Sequence, residues 1–316
     1  RGKMTNLDDV FNDNLPEDHR SGVVAVVGRP NVGKSTLINR LIGQKIAIVS
    51  PKPQTTRKRQ LGIYTSDHGQ IMFIDTPGLH APQHRLGEYM VRIAESAFRD
   101  SDIILLLLDV SEKPEAGDRH VAETVARLRG ETPVVLALNK IDLLTDFNRA
   151  GNIAAHTALI PHDAQFLISA QEGTGIDDLF TYLIDQMPTG PRYYPSDQTS
   201  DMNMRFIAAE VVREKIMLNT DQEIPYSVAV EVDGFSEKEN VNAINATIYV
   251  ERDTQKGIII GKGGDMIKRI GSQARADLEE MLDGKVFLEL HVKVLKNWRS
   301  DEQLMKRLGY RVKDED

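Results

Sequence analysis

Over the first 190 residues or so, short apolar runs recur at intervals long enough to hold a helix: Val23 to Val27, Ile71 to Ile74, Ile103 to Leu108, Val134 to Leu138 and Phe166 to Ile168. Uninterrupted apolar runs of this kind, separated by helical stretches, predict mainly parallel strands buried on both faces, with helices packed on either side. The last helix of the unit is expected over Ile176 to Met187, closed by Pro188. Three prolines and several small polar residues between 188 and 200 read as a linker. The second half has a different rhythm. A helix is expected over Arg205 to Leu218, then strands over Ser227 to Val232 and Ala246 to Glu251, with an Asp233-Gly234 turn and a polar loop between them. The glycine-rich Gly261 to Gly264 follows, then a helix around Ser272 to Leu282 and a strand from Val286 to Val294. Counting the helix that the glycines interrupt, the order is helix, strand, strand, helix, helix, strand. The chain therefore divides into a polar tail (1–20), an α/β domain with a mostly parallel sheet (21–188), a linker (189–203) and an α+β domain with a C-terminal helix (204–316). That last helix is Asp301 to Gly309, with Leu304, Met305 and Leu308 on one face.

Composition narrows the class. The 316 residues are about twice a usual domain length of roughly 150. With 41% hydrophobic and 27% charged residues, the chain is globular rather than disordered. It has no cysteine, which excludes disulfides and thiolate metal sites and fits a reducing cytoplasm. The longest apolar run is too short to span a bilayer and no secretion signal is evident, so a soluble, unexported protein is expected. The net charge of −8 argues against coating nucleic acid by bulk electrostatics, so any nucleic-acid site must be local.

The first strand runs into Gly28-Arg29-Pro30-Asn31-Val32-Gly33-Lys34-Ser35, which opens a helix through Leu37, Ile38, Leu41 and Ile42. Strand, glycine loop and helix together form the phosphate-binding loop in its required context. Gly28, Asn31, Val32, Gly33, Lys34, Ser35 and Thr36 line it. Backbone N–H groups turn toward phosphate oxygens, Lys34 reaches the outer phosphates, and the Ser35 hydroxyl ligates magnesium. Asp75-Thr76-Pro77-Gly78 follows the second strand, where Asp75 would hold magnesium through water and the Gly78 amide would sense the γ-phosphate. The polar Pro53-Gln54-Thr55-Thr56-Arg57 offers a threonine to the metal when the third phosphate is present; Thr56 is preferred, with Thr55 the alternative. Lys34, Thr56 and Gly78 are the candidate catalytic residues, and Ser35, Thr56 and Asp75 the metal ligands.

Asn139-Lys140-Ile141-Asp142 follows a buried strand, where ligand-binding loops sit on such sheets. A carboxylate at Asp142 accepts from guanine N1–H and the 2-amino group, which adenine lacks, so the site should select GTP and GDP over ATP. Lys140 would lie along the base, and the Ser169-Ala170 backbone would reach guanine O6.

These motifs resemble those of the translation-factor-related small GTPases and, more narrowly, of the Era family of ribosome-assembly GTPases. The narrower resemblance rests on Gly-Arg-Pro-Asn-Val-Gly-Lys-Ser, Gln-Thr-Thr-Arg, Asp-Thr-Pro-Gly-Leu-His and Asn-Lys-Ile-Asp in one order, and on the second domain. It implies a P-loop GTPase using magnesium, a bacterial cytoplasmic location with peripheral membrane association, and the 3′ end of 16S ribosomal RNA in the 30S subunit as target. A monomer is expected. Leu79 stands where Ras-like enzymes carry the glutamine that orients the attacking water, so unaided hydrolysis should be slow. Relatives with this replacement use potassium, and Asn31 matches the position that helps hold it.

In the second domain, Ile258-Ile259-Ile260-Gly261-Lys262-Gly263-Gly264 leads into a helix whose apolar face carries Met266, Ile267 and Ile270. This looks like a KH module of the helix-first variant (type II), whose Gly-x-x-Gly loop clamps an RNA backbone of about four nucleotides. The candidate RNA-binding residues are Ile260, Gly261, Lys262, Gly263, Gly264, Ile267, Lys268 and Arg269. Lys256, Lys262, Lys268, Arg269 and Arg275 give the stretch local positive charge, opposed only by Asp265. The alternative is a protein-docking scaffold in which the glycine loop is structural. Trp298 is expected to cover the domain's core, His80 and His84 to be loop residues, and the acidic Asp8, Asp9, Asp13, Glu17 and Asp18 to form a solvated tail.

Overall fold

The computed structural model describes residues 15–311 except 51, 53, 80–83 and 239–240. His80, Pro53, Asp8, Asp9 and Asp13 lie outside the described residues. The chain forms two compact units. Unit 2 runs from Met202 onward and also takes in Ile48–Thr55 and a short stretch ending at Tyr89; unit 1 is the remainder.

In chain order unit 1 contains β1 (Arg20–Val27), α1 (Lys34–Ile42), β2 (Gln60–Thr65), β3 (Gly69–Asp75), most of α2 (Arg85–Arg99), β4 (Ile103–Asp109), α3 (Ala116–Leu128), β5 (Val134–Asn139), α4 (Arg149–Thr157), β6 (Ala164–Leu167) and α5 (Ile176–Gln186). The sheet order is β2-β3-β1-β4-β5-β6. All pairs are parallel except β2 with β3. Every residue of β3, β4 and β5 is buried, which is why these strands read as uninterrupted apolar runs. Alternate strand residues feed two cores. Val24, Val26, Phe73, Leu105 and Leu107 pack with Leu37 and Leu41 of α1 and Leu179 and Leu183 of α5. Ala25, Val27, Ile74, Leu106 and Leu108 pack with Ala94 and Phe98 of α2 and Val121 and Val125 of α3 on the other face.

Two elements differ from expectation. β2 was not foreseen, because Gln60, Gly62 and Thr65 break its apolar signal; it is held as an antiparallel edge strand in register with β3. The proline-rich stretch expected as a linker is bonded to unit 1. The Tyr193 and Tyr194 amides donate to Gln70 Oε1 at 2.8 and 3.0 Å, and Ile63 N donates to Thr199 O at 2.8 Å. The buried Gln70 amide is satisfied by these backbone groups together with Tyr194 O and Thr65 Oγ1, to which its Nε2 donates at 2.8 and 2.9 Å.

Unit 2 contains α6 (Met204–Asn219), α7 (Ile224–Ser227), β7 (Ala229–Lys238), β8 (Val241–Val250), α8 (Asp253–Ile260), α9 (Asp265–Met281), β9 (Val286–Val294) and α10 (Glu302–Arg307). Its sheet order is β7-β8-β9, with β7 antiparallel and β9 parallel to β8. Val212 and Ile216 of α6, Ile244 and Ile248 of β8, Ile259 of α8, and Ile270, Ala274 and Leu278 of α9 form its core. The expected Asp233-Gly234 turn is instead a β-bulge. β7 continues to Lys238, and its register with β8 shifts between Val232 and Gly234. Asp233 Oδ2 accepts from Thr247 Oγ1 at 2.6 Å, so the aspartate caps a cross-strand pair rather than a turn. The helix expected around Ser272 to Leu282 and the one expected to carry Met266, Ile267 and Ile270 are one continuous helix, α9, which starts at Asp265 directly after the glycines.

Within unit 2 the Ile48–Thr55 segment is bonded to α6. Val49 N donates to Glu214 Oε1 at 2.9 Å, and the fully buried Arg213, paired with Glu210, donates to the carbonyls of Gln54 and Thr55.

Trp298 is fully buried and its indole N–H donates to Ser227 O at 2.9 Å. Tyr310 stacks on it, with ring centroids 5.5 Å apart. Replacing it by Phe leaves a buried carbonyl unpaired and should cost about 1–3 kcal/mol. Replacing it by Ala should cost about 3–5 kcal/mol. Urea melts of the full chain followed by circular dichroism should show both losses in this order.

Candidate nucleotide site and nucleic-acid groove

The carboxyl ends of the parallel strands bring the sequence motifs to one edge of the unit 1 sheet, the position where open α/β sheets bind ligands. Gly33, which caps α1, lies at φ 103°, a left-handed conformation that suits glycine. A Cβ there would come within 2.4 Å of Asn139 Nδ2. That amide in turn donates to Val32 O at 2.7 Å, while Asn139 Oδ1 accepts from Ala170 N at 2.8 Å. One carboxamide thus ties the Gly28–Ser35 loop to the Ser169-Ala170 loop. Asn31 is exposed, with φ 65°.

Lys34 is buried and its Nζ donates to the carbonyls of Gly28 and Arg29 at 3.1 and 3.0 Å. Burial pulls its pKa down to about 8 despite the opposing charge of Asp75. Asp75 moves upward, chiefly by burial, against the Lys34 charge and the hydrogen bonds from Ser35 and Thr56. Its Oδ2 accepts from Ser35 Oγ at 2.8 Å and from Thr56 Oγ1 at 2.9 Å, and the two hydroxyls lie 3.2 Å apart. Its Oδ1 is buried with no hydrogen-bond partner. Two hydroxyls and a carboxylate oxygen with spare acceptor capacity, beside a cation, make a hard-oxygen donor set that fits magnesium. Thr55 is turned away, donating from Oγ1 to Lys52 O at 2.7 Å.

Gly78 is fixed by close approach: an added Cβ would lie 2.7 Å from Pro30 N. Leu79 is buried in the unit 1 core, its N–H donating to Gly28 O at 3.3 Å. Nothing at that position can orient water. Lys140 sits at φ 67° and donates from Nζ to Asp109 Oδ2 at 2.6 Å. Burial by itself would raise the Asp109 carboxyl, but hydrogen bonds from Lys140 and Ser111 and the Lys140 charge outweigh it and hold the pKa below the usual carboxylate value. Asp142 is exposed on the 3-10 turn Ile141–Leu143. Ser169 is fully buried, its Oγ accepting from Glu172 N at 3.0 Å. Thr36 lines a cleft of about 440 Å³ with Asn39, Arg40, Lys45, Ala170 and Gln171.

Sequence reading missed Asp109 and Arg40. Asp109 carried a findable signal, a carboxylate ending a buried strand. Arg40 carried none, since its partners are about 130 residues away in the chain.

In unit 2 the glycine loop forms a 3-10 turn over Lys262–Gly264 leading into α9. Gly261 lies at φ 75°, where an added Cβ would meet the Met266 backbone nitrogen at 2.7 Å. Gly263, at φ 62°, faces open space, so the main chain there is accessible to a phosphate. Lys262, Lys268 and Arg269 are exposed, and Ile260 is half-buried. A groove of about 470 Å³ runs between α9 and β9, and neither Ile260 nor any residue of the Gly261–Gly264 loop is among its lining residues. Ile267, Lys268 and Arg275 line one wall, and Phe287, Leu288 and Leu290 the other. Arg269 is not among its lining residues. The β9 wall was missed in the sequence because the parallel pairing that brings it beside α9 has no local pattern.

Only protonated Lys34 attracts phosphate, whereas burial favours its neutral form. Its folded pKa lies below the unfolded one, so its charge costs stability at neutral pH, and that cost fades as pH rises through about 8. Nucleotide affinity moves the opposite way. The Kd of a guanosine nucleotide should be level up to about pH 8 and then weaken toward tenfold per pH unit. A fluorescence titration to about pH 9 checks this, and Lys34→Arg, which stays cationic, should remove the slope.

Residues 23–140 match the family described as 50S ribosome-binding GTPase, and residues 223–299 match the KH domain family. The chain is 49% identical over 294 residues to the GTPase Era of Geobacter metallireducens, covering 92% of this chain and 98% of that protein. An Aquifex aeolicus Era variant bound to GDP and AlF4− superposes with a TM-score of 0.86 at 37% identity, over 93% of this chain and all of that one. A structure of Era with MgGDPNP and nucleotides 1506–1542 of 16S ribosomal RNA matches with the same score, identity and coverage. With nearly half of its residues identical over almost the whole of both chains, the chain belongs to the Era family of GTPases.

Proposed function

We propose that this protein is a GTP-hydrolysing switch that binds 16S ribosomal RNA near its 3′ end through the KH unit and acts in assembly and maturation of the 30S subunit. The observation that carries it is the convergence of Ser35, Thr56 and Asp75 beside Lys34, on a chain whose other unit carries the Gly261–Gly264 loop at the start of α9, the helix that lines one wall of a basic and apolar groove. The similarity to Era in complex with 16S ribosomal RNA supports the choice of target. A bacterial cytoplasmic location, with peripheral association at the inner face of the membrane, goes with this reading. Among the described residues no helix is long and apolar enough to cross a membrane.

The motifs and the geometry support the following roles. Backbone amides of Gly28 to Ser35 and the α1 N-terminus receive the phosphates. Lys34 Nζ, now satisfied by two loop carbonyls, transfers its donors to phosphate oxygens. Ser35 and Thr56 would offer hydroxyl oxygens to magnesium and Asp75 would hold it through water; the ion would supply positive charge against the outer phosphates. Thr56 and the Gly78 amide respond to the third phosphate. Asp109 holds the Lys140 ammonium while Asp142 accepts from guanine N1–H and the 2-amino group. The Ala170 amide addresses O6. With Leu79 in the core, the nucleophilic water must be oriented from elsewhere, and Asn31 stands ready to help hold a potassium ion.

In the KH unit, Gly261, Lys262, Gly263 and Gly264 clamp the RNA backbone while Ile260 and Ile267 face bases and Lys268 and Arg269 supply charge. Crosslinking to total ribosomal RNA, with the protein held in a non-hydrolysable GTP analogue or in GDP, should give one site near the 16S 3′ end, strongest in the GTP state. Scattered or state-independent crosslinks would refute the coupling. Turnover measured in potassium should exceed that in sodium at equal ionic strength; equal rates would remove Asn31 from this role.

A further inference from the structure

We infer that Arg40 is a positioning residue for guanine recognition: its guanidinium holds the loop that carries Ala170 in place from the carbonyl side. The inference rests on the reading above that this loop faces the base.

Arg40 lies near the C-terminal end of α1. An arginine there serves the helix dipole by position alone. Its bonds point elsewhere. Nε donates to Ala170 O at 2.7 Å, and Nη2 donates to Gln171 O. Two successive carbonyls of one loop are thus gathered by one planar fork, an arrangement that fixes direction as well as distance. The loop leaves space for it. Gly173, at φ 89°, would place a Cβ 2.8 Å from Arg40 Nη1, so a larger residue there would displace the guanidinium.

The loop's other restraints are local or lie on its opposite side. Gly173 N donates to Ser169 O at 2.8 Å and Ser169 N to Thr174 O at 3.0 Å, which closes the turn on itself. Asn139 Oδ1 takes the Ala170 N–H. That acceptor must yield when the amide turns to a ligand oxygen, whereas the carbonyl-side bonds to Arg40 do not compete with a ligand. Arg40 therefore keeps the loop fixed to α1, the helix whose N-terminus faces the phosphates, while the amide changes partner. The distance between the phosphate-binding and base-reading ends of the site is then set before the nucleotide arrives. A loop free to wander would have to be ordered on binding, and that ordering weakens affinity.

The test compares GDP with 2-aminopurine riboside diphosphate, which keeps the 2-amino group, ribose and phosphates but lacks the 6-oxygen and N1–H. Wild type should bind GDP more tightly. Arg40→Ala should weaken GDP binding roughly tenfold, the size of one lost charge-assisted hydrogen bond, and leave the analogue's affinity within about twofold. Arg40→Lys should recover part of the loss and carries the same comparison if the alanine variant does not fold. Equal weakening of both ligands, or of neither, overturns the role of Arg40. A wild type that does not distinguish the two ligands overturns the underlying guanine reading, and the inference with it.

Discussion

The burial of two opposite charges, Lys34 and Asp75, in one site is the constraint on which the candidate nucleotide site depends. Both groups are withdrawn from water, and burial moves their pKa values in opposite directions, each toward the neutral form. Neither is satisfied by the other. Lys34 leans on two carbonyls of its own loop, and Asp75 accepts two hydroxyls while one carboxylate oxygen has no partner. A site in this condition gains from polyphosphate and a divalent cation more than a solvated site could. The desolvation has already been paid for by folding, so the incoming charges meet partners that need no reorganisation.

That condition can be maintained only because the sheet beneath it is rigid. Strands buried on both faces fix the positions of Gly28, Asp75, Asp109 and Asn139 at their carboxyl ends. Asn139 then ties the Gly28–Ser35 loop to the Ser169-Ala170 loop, and Arg40 ties the latter to α1. Glycine is required where the backbone approaches a neighbour closely, as at Gly33 beside Asn139 and Gly78 beside Pro30. The KH unit uses the opposite arrangement. Its glycine loop and basic side chains are exposed, and its groove is open between α9 and β9. An acidic protein that must grip a polyanion needs such a local, exposed cluster, since its overall charge works against the contact.

The chemistry of the candidate sites was legible in the sequence because phosphate and guanine recognition depend on residue types at fixed short spacing. Glycine, lysine and serine in one loop, and asparagine, lysine and aspartate in another, announce themselves without a fold. Strands buried on both faces were legible for a similar reason, since their apolar runs are continuous. Local patterns failed where the decisive partner was remote. β2 is a strand only because β3 pairs with it, and residues 193–199 lie on unit 1 only because Gln70 and Ile63 bond to them. Asp233-Gly234 has the composition of a turn, and the cross-strand bond to Thr247 makes it a bulge.

What the sequence determined by itself was therefore the set of elements and the ligand-reading motifs, both written in short-range order. The tertiary structure decided which groups are withdrawn from water and which loops are held. It turned Thr56 rather than Thr55 toward Asp75, sent Leu79 into the core, left Asp142 exposed, and brought Arg40 to two carbonyls far along the chain. The physical reason is that burial and hydrogen-bond partnership are properties of packed neighbours, and those neighbours are chosen by the fold rather than by adjacency in the chain.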